Sequence, residues 1–120
     1  MIGTIDEVVI DCADPGRLAG FWAQVLGGEP RRRDDAWWYV LPPGWTQLSF
    51  QKVPEAKSVK NRVHLDVRVD DLEAATAQAE AIGARRLGEA HHGAPGSFQV
   101  LLDPEDNEWC LVRLPGEATG

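Results

Sequence analysis

The chain has 120 residues, 43% hydrophobic and 26% charged, a composition that belongs to an ordinary globular protein and argues against disorder. Twelve Lys and Arg against nineteen Asp and Glu leave a formal net charge of −7, which argues against a general nucleic-acid or anionic-membrane binder. Two cysteines make no disulfide framework, the N-terminus lacks the basic region of a secretory signal, and no apolar run nears the roughly 20 residues of a membrane helix, so one cytoplasmic domain spanning 1–120 is expected.

In chain order, the strand-like run Val8 to Asp14 comes first. Leu18, Phe21, Trp22, Val25 and Leu26 then follow helical spacing, with Asp14 as N-cap, Pro15 at the first helical position and Gly27-Gly28 as the stop. Three extended segments follow, roughly 29–33, 36–41 and 46–53, separated by Asp34-Asp35 and Pro42-Pro43-Gly44. A polar, basic linker runs from about Pro54 to Lys60. The run Leu65 to Asp71 opens the second half, and Leu72, Ala75, Ala79 and Ile82 mark a second helix stopped by Gly83. Asp70 or Asp71 caps it, and Asp70 with Glu73 would make a capping-box-like pair. Extended segments at roughly 84–90, 97–103 and 108–114 complete the half, separated by the loop from His91 to Gly96 and the turn from Asp103 to Asn107.

Each half therefore reads strand–helix–strand–strand–strand, the first over about 4–54 and the second over about 61–114. Glu7 and His64 are 57 positions apart, as are Asp14 and Asp71, whereas Ser49 and Cys110 are 61 apart because the loop at His91 and His92 is longer. Side chains alternate along a strand, so Val63, Leu65, Val67 and Val69 share one face and His64, Asp66 and Arg68 the other. In the first half Val8, Ile10 and Cys12 oppose Glu7, Val9 and Asp11. Leu48 and Phe50 oppose Gln47, Ser49 and Gln51, and Trp109 and Leu111 oppose Glu108, Cys110 and Val112. The polar faces either meet bulk water or, with two curved half-sheets side by side, line a cup suited to a ligand.

The order of three stretches carries a family resemblance: the first strand-to-helix run through Asp14 and Phe21-Trp22, the run Lys60 to Val67, and Asp103-Pro104-Glu105-Asp106-Asn107-Glu108. From Ile5 to Leu114 the chain resembles the vicinal oxygen chelate superfamily of glyoxalases, bleomycin-resistance proteins and extradiol dioxygenases, and above all its small bacterial glyoxalase-like proteins. The resemblance implies an α+β fold of two βαβββ modules forming an open, barrel-like cup, frequently homodimeric. Metal-dependent members hold a divalent ion at places that fall here on Glu7, Ser49, His64 and Cys110. Only His64 matches the usual ligand type; Ser49 is a poor ligand, and Cys110 replaces a carboxylate with a thiol, which moves the preference toward zinc. No tightly bound metal is therefore expected, and an ion, if held, would use Glu7, His64 and Cys110.

The expected function is binding or transformation of a small organic molecule in the cup. His64 is the candidate general base, with Glu7 or Asp66 orienting it and Arg68 holding an anionic group. Trp38, Gln47, Ser49, Asp66, Arg68 and Cys110 are the expected ligand contacts. Trp38 enters because Trp37, Tyr39 and Leu41, by equivalence to Phe98, Val100 and Leu102, are expected to face the helices, leaving Trp38 and Val40 on the cup side. Two other classes compete: a metal-dependent lyase, isomerase or dioxygenase, and a drug-sequestering protein of the bleomycin-binding kind. Cys12 reads as a core residue, His91 and His92 as a solvated loop, and Arg31-Arg32-Arg33 beside Asp34-Asp35 as a solvated or partner-facing edge. The aromatic inventory of Trp37, Trp38 and Trp45 motivates an expected homodimer.

Overall fold

The computed structural model describes residues 1–93 and 96–114, so part of the His91–Gly96 loop, residues 94 and 95, lies outside the described residues. The chain divides between Lys57 and Ser58 into two compact units. The first contains β1 (Glu7–Cys12), α1 (Pro15–Leu26), β2 (Arg31–Asp34), β3 (Trp37–Val40) and β4 (Gln47–Lys52). The second contains β5 (Asp66–Arg68), α2 (Leu72–Ala81), β6 (Arg85–Arg86), β7 (Ser97–Leu102) and β8 (Glu108–Arg113).

Both units have one topology. The sheet orders are β1-β4-β3-β2 and β5-β8-β7-β6, with the first pair of each parallel and the others antiparallel. The repeat read from the sequence is thus a repeat of connectivity, and neither four-stranded sheet closes into a barrel.

Local chemistry sets the helix ends. Asp14 accepts a hydrogen bond from the Arg17 amide at 3.2 Å, and Pro15 occupies the first helical turn, where no amide partner is needed. The chain leaves α1 through Gly28 at φ +87°, where a Cβ would stand 2.9 Å from the Leu41 carbonyl oxygen. In α2 the cap is Asp71, whose Oδ1 accepts from the Ala74 amide at 3.1 Å, so the alternative Asp70 box with Glu73 is not the one used. Thr76 sits in the buried stripe beside Leu72 and Ala79 because its hydroxyl donates to the Leu72 carbonyl at 2.7 Å.

Each helix covers one face of its own sheet. Leu18, Phe21 and Trp22 pack with Val40, Leu48 and Phe50, all essentially inaccessible to solvent. In the second unit Leu72 and Ala79 face the side holding Leu101, Trp109 and Leu111. Burial of such large apolar side chains contributes about 1.5–3 kcal/mol each and anchors each sheet to its helix.

Strand parity corrects two expectations. Trp38 lies opposite Phe50 and Val40 opposite Leu48, which puts both on the helix side. The Trp38 indole lies against the first turn of α1, where a Cβ on Gly16 would come within 3.2 Å of the ring. Trp38 is therefore a packing residue and not the ligand contact that was expected. Trp37 and Tyr39 take the other face, with the Arg33 guanidinium 4.2 Å from the Trp37 ring centroid. In β7 the same reversal holds: Gln99 and Leu101 pair with Leu111 and Trp109 on the helix side, while Phe98 and Val100 pair with Val112 and Cys110 on the opposite side. Gln99 tolerates full burial because its Nε2 donates to the Gly88 and Val100 carbonyls at 3.0 and 2.8 Å. Val63 is 76% exposed, since regular pairing begins only at Asp66, so it does not join Leu65, Val67 and Val69 on a packed face.

Candidate functional site

In the second unit, the face opposite α2 forms a pocket of about 510 Å³. Its construction follows from strand register. The parallel pair β5–β8 sets Asp66 beside Cys110, and His64, two residues before Asp66, joins them. One ligand atom from each of His64, Asp66 and Cys110 lies within 4.8 Å of the other two. His64 Nδ1 stands 3.2 Å from Asp66 Oδ1. An ionised carboxylate only accepts, so this contact places the proton of a neutral His64 ring on Nδ1 and leaves Nε2 as the free base.

Burial pushes the Cys110 thiol above its ordinary range; the Asp66 charge and the hydrogen bond to Asp66 push it further, while Lys60 opposes the rise. At neutral pH the group is a thiol, a weak hydrogen-bond donor, and not a nucleophilic thiolate.

The rest of the lining includes an apolar surface on the same sheet face: Phe98, Val100, Val112 and Leu114. His91 belongs to this surface and corrects the reading of a plain solvated loop. It exchanges two backbone hydrogen bonds with Phe98, at 2.8 and 2.9 Å, and its ring stacks on Phe98 at 4.9 Å between centroids with 30° between planes. His92 stays exposed, with Nδ1 3.2 Å from Ser97 Oγ.

Glu108 is the pocket residue that sequence reasoning missed. It is buried, lines the pocket, and accepts the Asn61 amide at 3.0 and 3.3 Å. Asn61 Nδ2 donates to Asn107 Oδ1 at 3.0 Å, and Asn107 in turn donates to the buried Asp103 carboxylate at 2.9 and 3.1 Å. Asp103 also accepts the Glu105 and Asn107 amides at 2.8 and 3.0 Å. The turn before β8 is thus a clamp on the segment that leads to His64. The available signal was parity: Glu108 stands two residues before Cys110 on the same face.

Arg68 shares the Asp66 face of β5 but lies outside the pocket lining. Glu7, Gln47 and Ser49 form a polar group within the first unit. Glu7 lies opposite Gln47, Gln47 Nε2 donates to the fully buried Ser49 hydroxyl at 3.0 Å, and Glu7 Oε1 is buried without a hydrogen-bond partner among the described residues.

The donor set decides whether a metal suits the pocket. Imidazole, one carboxylate and a thiol form a mixed set closer to zinc chemistry than to manganese, which favours carboxylate and water oxygens. An ion held by Cys110 must displace the thiol proton, and one held through His64 Nδ1 must also break the His64–Asp66 contact. These residues do not fit a carboxylate-rich site for a hard divalent ion.

Comparison with known proteins agrees with this architecture. Residues 7–112 match the model of a family described as a glyoxalase-like domain. A glyoxalase/bleomycin resistance protein/dioxygenase family enzyme from Burkholderia phytofirmans PsJN superposes with a TM-score of 0.78 at 20% identity, over 93% of this chain and 99% of that one. A glyoxalase-related enzyme from Fulvimarina pelagi gives 0.74 at 17%, over 95% and 90%. The E126Q mutant of the fosfomycin resistance protein FosX from Listeria monocytogenes, complexed with Mn(II) and 1S,2S-dihydroxypropylphosphonic acid, gives 0.75 at 12%, over 93% and 90%. At these identities the likeness is one of fold. Among curated proteins, none matches the sequence. Among the described residues, no helix is long and apolar enough to cross a membrane.

Proposed function

Because the chain belongs to the glyoxalase-like domain family, we propose that its second unit binds a small organic molecule and transforms it by proton transfer. One observation carries this reading: a pocket of about 510 Å³ in which His64, Asp66 and Cys110 stand beside the apolar side chains of Phe98, Val100 and Val112. Such a lining suits a ligand whose body is desolvated while its polar end is oriented. His64 Nε2 serves as general base, Asp66 holds the ring through Nδ1, and the Cys110 thiol donates its one S–H to the same carboxylate. Glu7, Gln47 and Ser49 are proposed as a second polar group, with Glu7 the acid or base of the first unit. Cys12 and Cys110 are both free thiols, which supports a reducing, cytoplasmic setting.

Filling the pocket tests the reading. Val100→Trp should abolish the chemical-shift changes that a small-molecule fragment mixture produces at Phe98, Val112 and Cys110, with the amide spectrum otherwise retained. Unchanged binding in that variant refutes the assignment.

The proposed chemistry needs no tightly bound metal. A second reading, metal-dependent lyase, isomerase or dioxygenase chemistry, is favoured by the three donor atoms within 4.8 Å. Elemental analysis of protein purified without tags or added metal separates the two. Near-stoichiometric zinc, nickel, manganese or iron, lost with activity in His64→Ala, would establish the second.

A further inference from the structure

We propose that the pocket of the second unit selects an organic cation with a planar aromatic body, the ring lying against Phe98 and the ammonium group meeting the Asp66 carboxylate. The inference rests on the small-molecule reading of that pocket and adds the chemical class of its ligand.

Two independent features carry it. The first is the aromatic wall. Phe98 is 37% exposed, and its ring is steadied by the stacked His91 and the paired backbone hydrogen bonds between the two residues. A flat aromatic surface held in one orientation favours a flat partner over a branched aliphatic one, because stacking adds to the area buried.

The second is the acidic lining. Among the described residues, the ion-pair contact of Asp66 is with the His64 ring and not with a lysine or arginine. Cys110 Sγ lies within 4.8 Å of the same carboxylate. An ionised carboxylate has about four acceptor positions, and these two donors leave acceptor capacity for a ligand. Lys60 also lines the pocket, but the formal charge of the lining, with Lys60 against Asp66 and Glu108, remains negative. A cationic head is therefore attracted, an anionic head repelled, and an ammonium near the Phe98 face gains a further cation–π contribution.

Three indoles of similar shape test this directly: tryptamine, 3-ethylindole and indole-3-acetate, titrated into the intact chain by NMR at pH 7.5 and low salt. Tryptamine should bind about tenfold more tightly than 3-ethylindole, and indole-3-acetate more weakly than either, with the spread shrinking at 1 M salt. In Asp66→Asn the tryptamine advantage should collapse while 3-ethylindole binds as before. Phe98→Leu should weaken all three by several-fold without changing their order. Equal or tighter binding of indole-3-acetate, or an unchanged tryptamine advantage in Asp66→Asn, overturns the cation assignment while the small-molecule reading stands. Failure of all three to perturb Phe98, Val100 and Val112 up to millimolar concentration overturns the aromatic-cation inference. The Val100→Trp experiment with the broader fragment mixture then decides the pocket itself.

Discussion

Asn107→Ala should be the most damaging single truncation in the turn before β8, well beyond Asn61→Ala. The Asn107 side chain donates to both oxygens of Asp103, at 3.1 and 2.9 Å, and accepts from Asn61 Nδ2 at 3.0 Å. Asp103 is fully buried, so its carboxylate cannot recover lost donors from bulk water without opening the turn. Hydrogen bonds to a charged group contribute roughly 1.5–3 kcal/mol each and neutral ones roughly 1 kcal/mol. Because the two amide contacts to Asp103 come from one nitrogen, we count them as a single charged interaction. The loss is then about 2.5–4 kcal/mol, a large share of the roughly 5–15 kcal/mol that stabilises a typical domain. Asn61→Ala removes only the neutral contact and should cost about 1 kcal/mol, since the Asn61 amide keeps its bond to Glu108. Urea unfolding followed by circular dichroism compares the two. In both variants the His64 ring resonances should broaden or shift, because the clamp fixes the segment leading to it. Equal midpoints for the two variants would refute the reasoning, as would an Asn107→Ala protein whose His64 signals are unmoved.

Other outcomes follow from single observations. Iodoacetamide should label Cys110 slowly at pH 7 and faster only above the ordinary thiol range, and Asp66→Asn should move that rise to lower pH; rapid labelling at pH 7 would contradict the protonated thiol. The native protein holds this proton more tightly than the unfolded chain does. The resulting stabilisation is complete below the ordinary thiol pKa and is lost as pH rises through the raised one, so wild-type urea midpoints should fall in alkali more than those of Cys110→Ala. Gly28→Ala should cost about 1–3 kcal/mol by thermal unfolding, since its φ of +87° and the 2.9 Å approach to the Leu41 carbonyl both oppose a side chain. Light scattering at tens of micromolar should give about twice 13.2 kDa, with Trp45, 48% exposed, as the aromatic available to a two-fold partner; the monomer mass would exclude the dimer.

The parts of the fold legible in the sequence are those governed by local chemistry. Asp14-Pro15 and Gly27-Gly28 bracket α1 through backbone preferences that need no tertiary context, and the duplicated order of elements follows from such brackets occurring twice. Strand parity is different in kind. Trp37-Trp38-Tyr39-Val40 and Phe98-Gln99-Val100-Leu101 have no clean alternation, so which side faces the helix depends on register against β4 and β8. Equivalence to Phe98, Val100 and Leu102 put Trp38 on the cup side, yet its indole lies over Gly16 against the helix. The Asn61–Glu108 contact spans 47 positions and has no local signature. By contrast, the meeting of His64, Asp66 and Cys110 follows from alternation and from parallel pairing of the first and last strands of a unit.

Equal topology with unequal chemistry is what separates the two units. Positions 7, 47 and 49 of the first correspond to 64, 108 and 110 of the second, by the same offsets that relate the strands themselves. In the first unit, the Gln47 amide donates to the Ser49 hydroxyl, and neither side chain titrates near neutral pH. In the second, the corresponding places hold Glu108 and Cys110, and Asp66 stands where the first unit has Val9. That exchange of an aliphatic residue for a carboxylate gives the imidazole its orienting partner and adds to the burial that raises the thiol. A duplicated backbone reproduces positions and strand directions; it does not reproduce an acid–base pair. The proposed proton transfer is therefore centred on the second unit, where a base, its orienting carboxylate and an apolar surface occur on one sheet face, and Glu7 is the acid or base proposed for the first.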